Sequence, residues 1–368
     1  MSATLPPQTV QAMLPAPAPV CFVTESGKAA EAPADYPAPS DELLREAYRR
    51  MVVGRRYDEQ ATALAKQGRL AVYPSSRGQE ACQIGAALAL REHDWLVPTY
   101  RDSVAVHARG VDPVQVLTLL RGDWHCGYDP AATRVAPQCT PLATQLLHAT
   151  GMADGMRRKG EDGVVLALVG DGGTSEGDFH EALNFAAVFR APVVFLVQNN
   201  QYAISVPLAR QTAAPALAYK GIGYGVHAEQ VDGNDVMAVL AVMTAAVDHA
   251  RRGDGPVLVE AQTYRVEPHT DSDDPSRYRD EEETLRWAAA DPVRRLETYL
   301  RDREVLTERD VETAQAEGEA VAADVRGRID LDQTPDPLAL FDHVYAEPTP
   351  QLLEQRDQLA AEMKERED

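Results

Sequence analysis

Two oxygen-bearing residues at the ends of apolar runs carry the most chemical information: Asp171, within Gly170-Asp171-Gly172-Gly173, and Asn200, closing Gln198-Asn199-Asn200. They lie 29 positions apart. One carboxylate, one amide oxygen and a backbone carbonyl near Tyr202 make a sparse set of hard oxygens, which suits Mg²⁺ sharing its octahedron with phosphate oxygens and water. A protein-made Ca²⁺ cage would need more ligands. Either half alone has a plain reading, GDGG as a surface turn and Asn-Asn as a helix cap, so the spacing and the elements between them make the case. Val97 to Asp102 (VPTYRD) adds an aromatic beside a guanidinium, and Arg can grip a phosphate through two parallel hydrogen bonds.

The elements that position these residues follow from periodicity. Val164 to Val169 is a short apolar strand stopped by glycines that relieve the limits on a tight loop. Ser175 with Asp178 resembles a capping box, and Phe179, Leu183 and Ala186 then fall on one helical face. Pro192 ends that helix. Val193 to Val197 forms a second strand, with Gln198, Asn199 and Asn200 at its end. A crossover of that length makes the strands parallel, so both turns open on one edge of a sheet, where open α/β sheets bind ligands. The unit predicts a Mg²⁺ diphosphate crevice without naming the ligand.

The remaining chain bounds the fold. At 368 residues with 44% hydrophobic content it can bury a sizeable α/β core. Residues 1–40 hold 8 of the 25 prolines, which predicts an extended, partly disordered N-terminal arm able to lie along a partner. The main domain spans 41–345 and a charged helical tail 346–368. A strand is expected at Val257 to Ala261, a polar loop at Thr270 to Pro275, surface helices at Leu285 to Leu306 and Val311 to Ile329, and a last helix at Gln351 to Lys364. A net charge of -21 argues against nucleic-acid or anionic membrane partners. Cys21, Cys82, Cys126 and Cys139 show no CxxC spacing and read as reduced thiols. With no apolar run of membrane-spanning length and no basic region ahead of an apolar one at the N-terminus, the expectation is a cytoplasmic protein.

From about Pro39 onward, the GDG to NN spacing and its flanking motifs resemble the α subunit of the thiamine-diphosphate-dependent decarboxylating component of branched-chain 2-oxo acid dehydrogenases, bacterial type. The resemblance implies the thiamine diphosphate-binding fold, a mostly parallel sheet with helices on both faces. It also implies two α and two β chains, with thiamine diphosphate and Mg²⁺ between them. Asp171, Asn200 and the Tyr202 carbonyl match the metal positions. Tyr100, Arg101, Thr140, Leu142, Gly170, Gly172, Gly173, Ala203 and His269 match cofactor positions, although Thr99 stands where many relatives carry Gln. Cys139 to Gln145 (CTPLATQ) resembles a segment that binds potassium, with Thr144, Gln145 and the Pro141 carbonyl as ligands. Cys139 replaces the family's first serine there, and a thiol is a poor ligand for a hard cation. His269 matches the active-site histidine, with Arg265 and Glu80 as catalytic companions, Glu80 near the substrate entrance. A loop histidine can as well be solvated, and Glu80 can be a first-turn carboxylate favoured by the helix dipole. Where mitochondrial relatives carry a regulatory serine after this histidine, Thr270 stands here.

The implied activity is decarboxylation of a branched 2-oxo acid and reductive acylation of a lipoyl group, with the acyltransferase's lipoyl and subunit-binding domains as partners and the β chain completing the site. The cofactor carries the hard chemistry. The SDDPSRYR run and the Leu340 to Tyr345 tail favour branched substrates, whereas SRGQEAC is closer to pyruvate enzymes, so a pyruvate or acetoin dehydrogenase α subunit is the alternative. A non-catalytic structural subunit is a remoter one. A nicotinamide enzyme is disfavoured, because after Gly170 and Gly172 the third glycine of GxGxxG is replaced by Ser175.

Overall fold

Five parallel strands form the centre of the computed structural model, in spatial order β1-β2-β3-β7-β6. They are β1 Trp95–Val97, β2 Val165–Gly170, β3 Val193–Asn199, β6 His227–Asp232 and β7 Val257–Gln262, with a small antiparallel pair, β4 Tyr202–Ala203 and β5 Val206–Pro207. The structure describes residues 10–367 except 32, 124, 331–335 and 343. β2, β3 and β7 are Val/Leu-rich and buried nearly throughout, as expected of parallel strands covered on both faces. One face packs on α1 Asp41–Lys66, α2 Glu80–Leu88 and α3 Ser103–Ala108, the other on α4 Thr144–Lys159 and α5 Gly177–Phe189. α6 Val236–Arg251 connects β6 to β7 on the first face.

Register positions the site. Gly170 pairs with Gln198 and Asn199 with Gln262, so Asp171, Asn200 and Thr263 leave the sheet at one edge. The anticipated unit is present, with the two strands parallel and Phe179, Leu183 and Ala186 buried on α5. Its N-terminus differs: Asp171–Ser175 is a 3-10 turn, the helix is capped at Glu176 without a side-chain bond, and the Asp178 carboxylate accepts from Thr144 Oγ1 at 2.9 Å instead of serving a capping box. The glycines also act differently from expectation. None of Gly170, Gly172 and Gly173 has positive φ; a Cβ on Gly172 would lie 2.7 Å from the Ala203 Cβ, so space is what requires glycine at that position.

The arm, where described, lies on its own chain. Val20 N donates to Gln230 O at 2.9 Å and Asp232 N to Val20 O at 3.0 Å, adding a bridge beside β6. Phe22 and Val23 amides both donate to Asp235 Oδ2 at 2.7 Å, and Val20, Phe22 and Val23 are buried. The first nine residues and His343 of the tail motif fall outside the described residues. The helix expected over Leu285 to Leu306 is two, α7 Glu281–Ala289 and α8 Pro292–Asp302, because Asp291 caps a new N-terminus with Pro292 in its first turn. α9 Glu308–Arg328 packs along α1 and buries Val311, Ala314 and Val325. α10 Pro350–Glu367 ends the described chain. All four cysteines are free, and no helix among the described residues is long and apolar enough to cross a membrane.

Candidate active site

Loops at the carboxyl edge of the sheet enclose a cavity of about 480 Å³. Tyr100, Arg101, Thr140, Pro141, Leu142, Gln145, Gly170, Asp171, Gly172, Gly173, Asn200, Tyr202, Ala203, Arg265 and His269 all line it. Ala143 and Ile204, which line it, hold positive φ (64° and 54°), a backbone that non-glycine residues keep only where the surroundings enforce it.

The metal-ligand candidates converge. Asp171 is 1% exposed, and Gln211 Nε2 donates to its Oδ2 at 2.6 Å, leaving Oδ1 turned towards Asn200. One terminal atom of the Asn200 carboxamide lies 3.1 Å from both Asp171 Oδ1 and the Tyr202 carbonyl oxygen; the other is 2.7 Å from Gln79 Oε1. With the amide oxygen inward, three oxygens sit at contacts close to the edge of a Mg²⁺ octahedron, about 3.0 Å for metal–oxygen bonds near 2.1 Å. Oxygens so close repel unless a cation lies among them. No cluster of three His, Cys, Asp or Glu exists among the described residues, as fits a site built from one carboxylate plus neutral oxygens. Burial raises the Asp171 carboxyl pKa, the Gln211 bond opposing it, and a cation at Oδ1 would favour the charged form.

Two guanidinium groups face the same space. Thr99 donates to Asp102 through N (2.6 Å) and Oγ1 (2.7 Å), and Gln198 Nε2 donates to the other Asp102 oxygen at 2.6 Å, so the turn before α3 is tied to the end of β3. Thr99 thus holds the turn that presents Tyr100 and Arg101. Arg101 donates to Ser75 O (2.9 Å), His269 O (2.9 Å) and His269 Nδ1 (3.1 Å). Arg265 donates to Tyr202 O (3.3 Å) and Ile204 O (2.7 Å), and lies 3.4 Å from His269 Nδ1. Facing two such donors, Nδ1 must be the acceptor, so His269 is neutral with its proton on Nε2. Burial and then the Arg101 and Arg265 charges lower its pKa to about 4, against a weaker opposing pull from Asp273, whose Oδ2 accepts from His269 N at 2.8 Å. An ordinary imidazole titrates near working pH, whereas His269 in the chain alone does not.

Glu80 is the residue the structure separates from this group. It is 1% exposed, bonded to Arg55 at 2.8 Å and to Gly78 N at 2.8 Å, with Arg55 also meeting Asp291, and it does not line the cavity. Its position is a first-turn carboxylate buried in an ion pair. Glu80→Ala is expected to lower stability by about 3 kcal/mol, the low end for breaking a buried pair since Asp291 keeps part of Arg55 neutralised. The urea midpoint of the variant measures this, with cofactor affinity unchanged. Thr144 also lies outside the cavity lining, bonded to Asp178. Gln145 Nε2 donates to Leu168 O at 2.8 Å, while its Oε1 is buried without a partner, and Cys139 Sγ donates to the Pro141 carbonyl at 3.2 Å.

Sequence reasoning missed Gln79 and Gln211, which hold Asn200 and Asp171, and Val72, Pro74 and Leu120, which give the cavity an apolar wall. Gln79 stood beside the motif residue Glu80. Nothing local marks the others.

A parallel α/β sheet with a carboxylate, a carboxamide and two arginines at its carboxyl edge offers the groups that would hold a metal-complexed phosphate. Residues 48–335 match the family described as dehydrogenase E1 component, and the chain belongs to that thiamine diphosphate-dependent family. It is 50% identical over 323 residues, 88% of each chain, to the 3-methyl-2-oxobutanoate dehydrogenase subunit alpha of two Mycobacterium tuberculosis strains. It is 38% identical over 336 residues to the pyruvate dehydrogenase E1 component subunit alpha of Acholeplasma laidlawii, covering 91% of this chain and 97% of that one. The corresponding Staphylococcus aureus protein is 39% identical over 265 residues, 72% of each chain.

Proposed function

We propose that this chain is the α subunit of a branched-chain 2-oxo acid dehydrogenase, acting on 3-methyl-2-oxobutanoate and similar acids, and that it holds the diphosphate and metal end of the cofactor. The observation that carries the site is the meeting of Asp171 Oδ1, the Asn200 amide and the Tyr202 carbonyl at 3.1 Å under two arginines. When bound, thiamine diphosphate supplies the electron sink for loss of carbon dioxide from the 2-oxo acid. Asp171, Asn200 and the Tyr202 carbonyl would hold Mg²⁺. Arg101 and Arg265 bring positive charge to the diphosphate, with Tyr100, Thr140, Leu142, Gly170, Gly172, Gly173 and Ala203 around the cofactor. A dianion beside the two guanidinium groups offsets the charges that depress His269, so its pKa rises towards the working range. Its Nε2–H then serves the substrate or the lipoyl group as a donor.

Family membership implies a β subunit, and the proposed further partners are the lipoyl and subunit-binding domains of the acyltransferase. For substrate, the more similar relatives act on 3-methyl-2-oxobutanoate by name, and the apolar wall of Val72, Pro74 and Leu120 suits a branched chain. The pyruvate reading has the less similar relatives behind it. The pair assembled with its β subunit is expected to favour 3-methyl-2-oxobutanoate over pyruvate by about tenfold or more in kcat/KM, in the range that apolar pockets discriminate. A preference for pyruvate overturns the substrate assignment.

Potassium is a proposed additional ion, supported by the unpartnered Gln145 Oε1. Because the Cys139 thiol donates to the Pro141 carbonyl, binding is expected to be weak. Cys139→Ser should increase the thermal stabilisation given by KCl relative to choline chloride. An equal response in both proteins contradicts this.

A further inference from the structure

Gln79 sits at the start of α2, its backbone fixed by bonds from its N–H to Ser76 O (2.9 Å) and to its carbonyl from Gln83 N (3.1 Å). Its side chain is 1% exposed and reaches Asn200 at the end of β3. An amide has an accepting end and a donating end, and the Asn200 amide has one end towards Asp171 Oδ1 and the Tyr202 carbonyl and the other towards Gln79. Only the orientation with oxygen inward can bind a cation. The reverse orientation satisfies Asp171 and Tyr202 by hydrogen bonds and has no ligand to offer. Geometry at Asn200 is the same in both, so the choice falls to what Gln79 presents.

Resting on the metal reading above, we infer that Gln79 is a positioning residue for the metal: its Oε1 accepts the Asn200 N–H and so turns the Asn200 oxygen towards the cation. Gln79 is itself an amide and can present Nε2 instead. The two amides therefore turn over together, oxygen inward with the metal and nitrogen inward without it. The bond between the two amides is kept in either state.

The test uses the chain assembled with its β subunit, Mn²⁺ as the probe ion with thiamine diphosphate, and electron paramagnetic resonance to count free Mn²⁺. Gln79→Met, which keeps the length but neither donates nor accepts, is expected to weaken Mn²⁺ binding about tenfold, the lower end for loss of a partner that orients a ligand. Gln79→Glu, which can only accept, restores binding to the original level or tighter. In the Asn200→Asp background, with oxygen at both ends, Gln79→Met has no further effect, so the double-mutant cycle shows coupling. Full binding by Gln79→Met, or an equal loss in both backgrounds, overturns the inference, and unchanged thermal midpoints of the variants separate orientation from misfolding. Failure of the unsubstituted assembly to bind Mn²⁺ with the cofactor overturns instead the metal reading on which the inference rests.

Discussion

Asp171→Ala is expected to abolish measurable thiamine diphosphate binding in the presence of Mg²⁺, weakening it by more than about 100-fold. Loss of a residue that merely orients a ligand costs about 10 to 100-fold, and Asp171 offers the one carboxylate in the oxygen set. The substitution also frees Gln211 Nε2 from its 2.6 Å bond, while the bond of that group to Val206 O at 3.0 Å remains to hold the loop. The fold should survive, because β2 is fixed by its register with β3 and by apolar burial, not by Asp171. Calorimetric titration of the variant assembly checks this. Binding within tenfold of the original would remove Asp171 from the metal site.

His269→Ala has the second largest expected effect, on turnover instead of binding. Its imidazole is held by Arg101 and Arg265 in the neutral form, and a positioned proton donor contributes about 10² to 10⁴-fold to rate. Reductive acylation of a lipoyl domain should fall about 100-fold, with cofactor affinity within about threefold. Loss of cofactor affinity with turnover per bound cofactor preserved would contradict the role. The titration of His269 gives an independent check by NMR of its ring protons: a pKa of about 4 in the cofactor-free chain, moving up when diphosphate meets the guanidinium groups. A folded pKa of about 4 against 6.5 unfolded means that the unfolded chain binds more protons between those values. The contribution is present above pH 6.5 and lost as pH falls towards 4.

What could be read in advance was local. The unit from Gly170 to Tyr202 depends on strand, turn, helix and strand following one another within about 30 residues, and its apolar periodicities predict both strands and the buried face of α5. The Asp291-Pro292 break was also legible, since Asp before Pro is a helix-start signal, although Leu285 to Leu306 was expected as one helix. Ser175 shows the limit of a motif: the residue types of a capping box were present, but Ser175 closes a 3-10 turn and the Asp178 carboxylate accepts from Thr144 instead. Side-chain partners distant in sequence were not legible at all. Gln79 meets Asn200 across 121 positions, and Glu80 meets Arg55 by the packing of α2 against α1. Neither pairing has a periodicity to betray it. Resemblance supplied the role of His269, but only its two arginine neighbours reveal its protonation state.

The central claim is that this chain holds the diphosphate end of thiamine diphosphate through a metal. Calorimetric titration of thiamine diphosphate into the assembly with its β subunit, once with Mg²⁺ and once with EDTA, tests it most directly. Saturable binding that requires Mg²⁺ is the expected result. Equal binding in both conditions, or none in either, would contradict it.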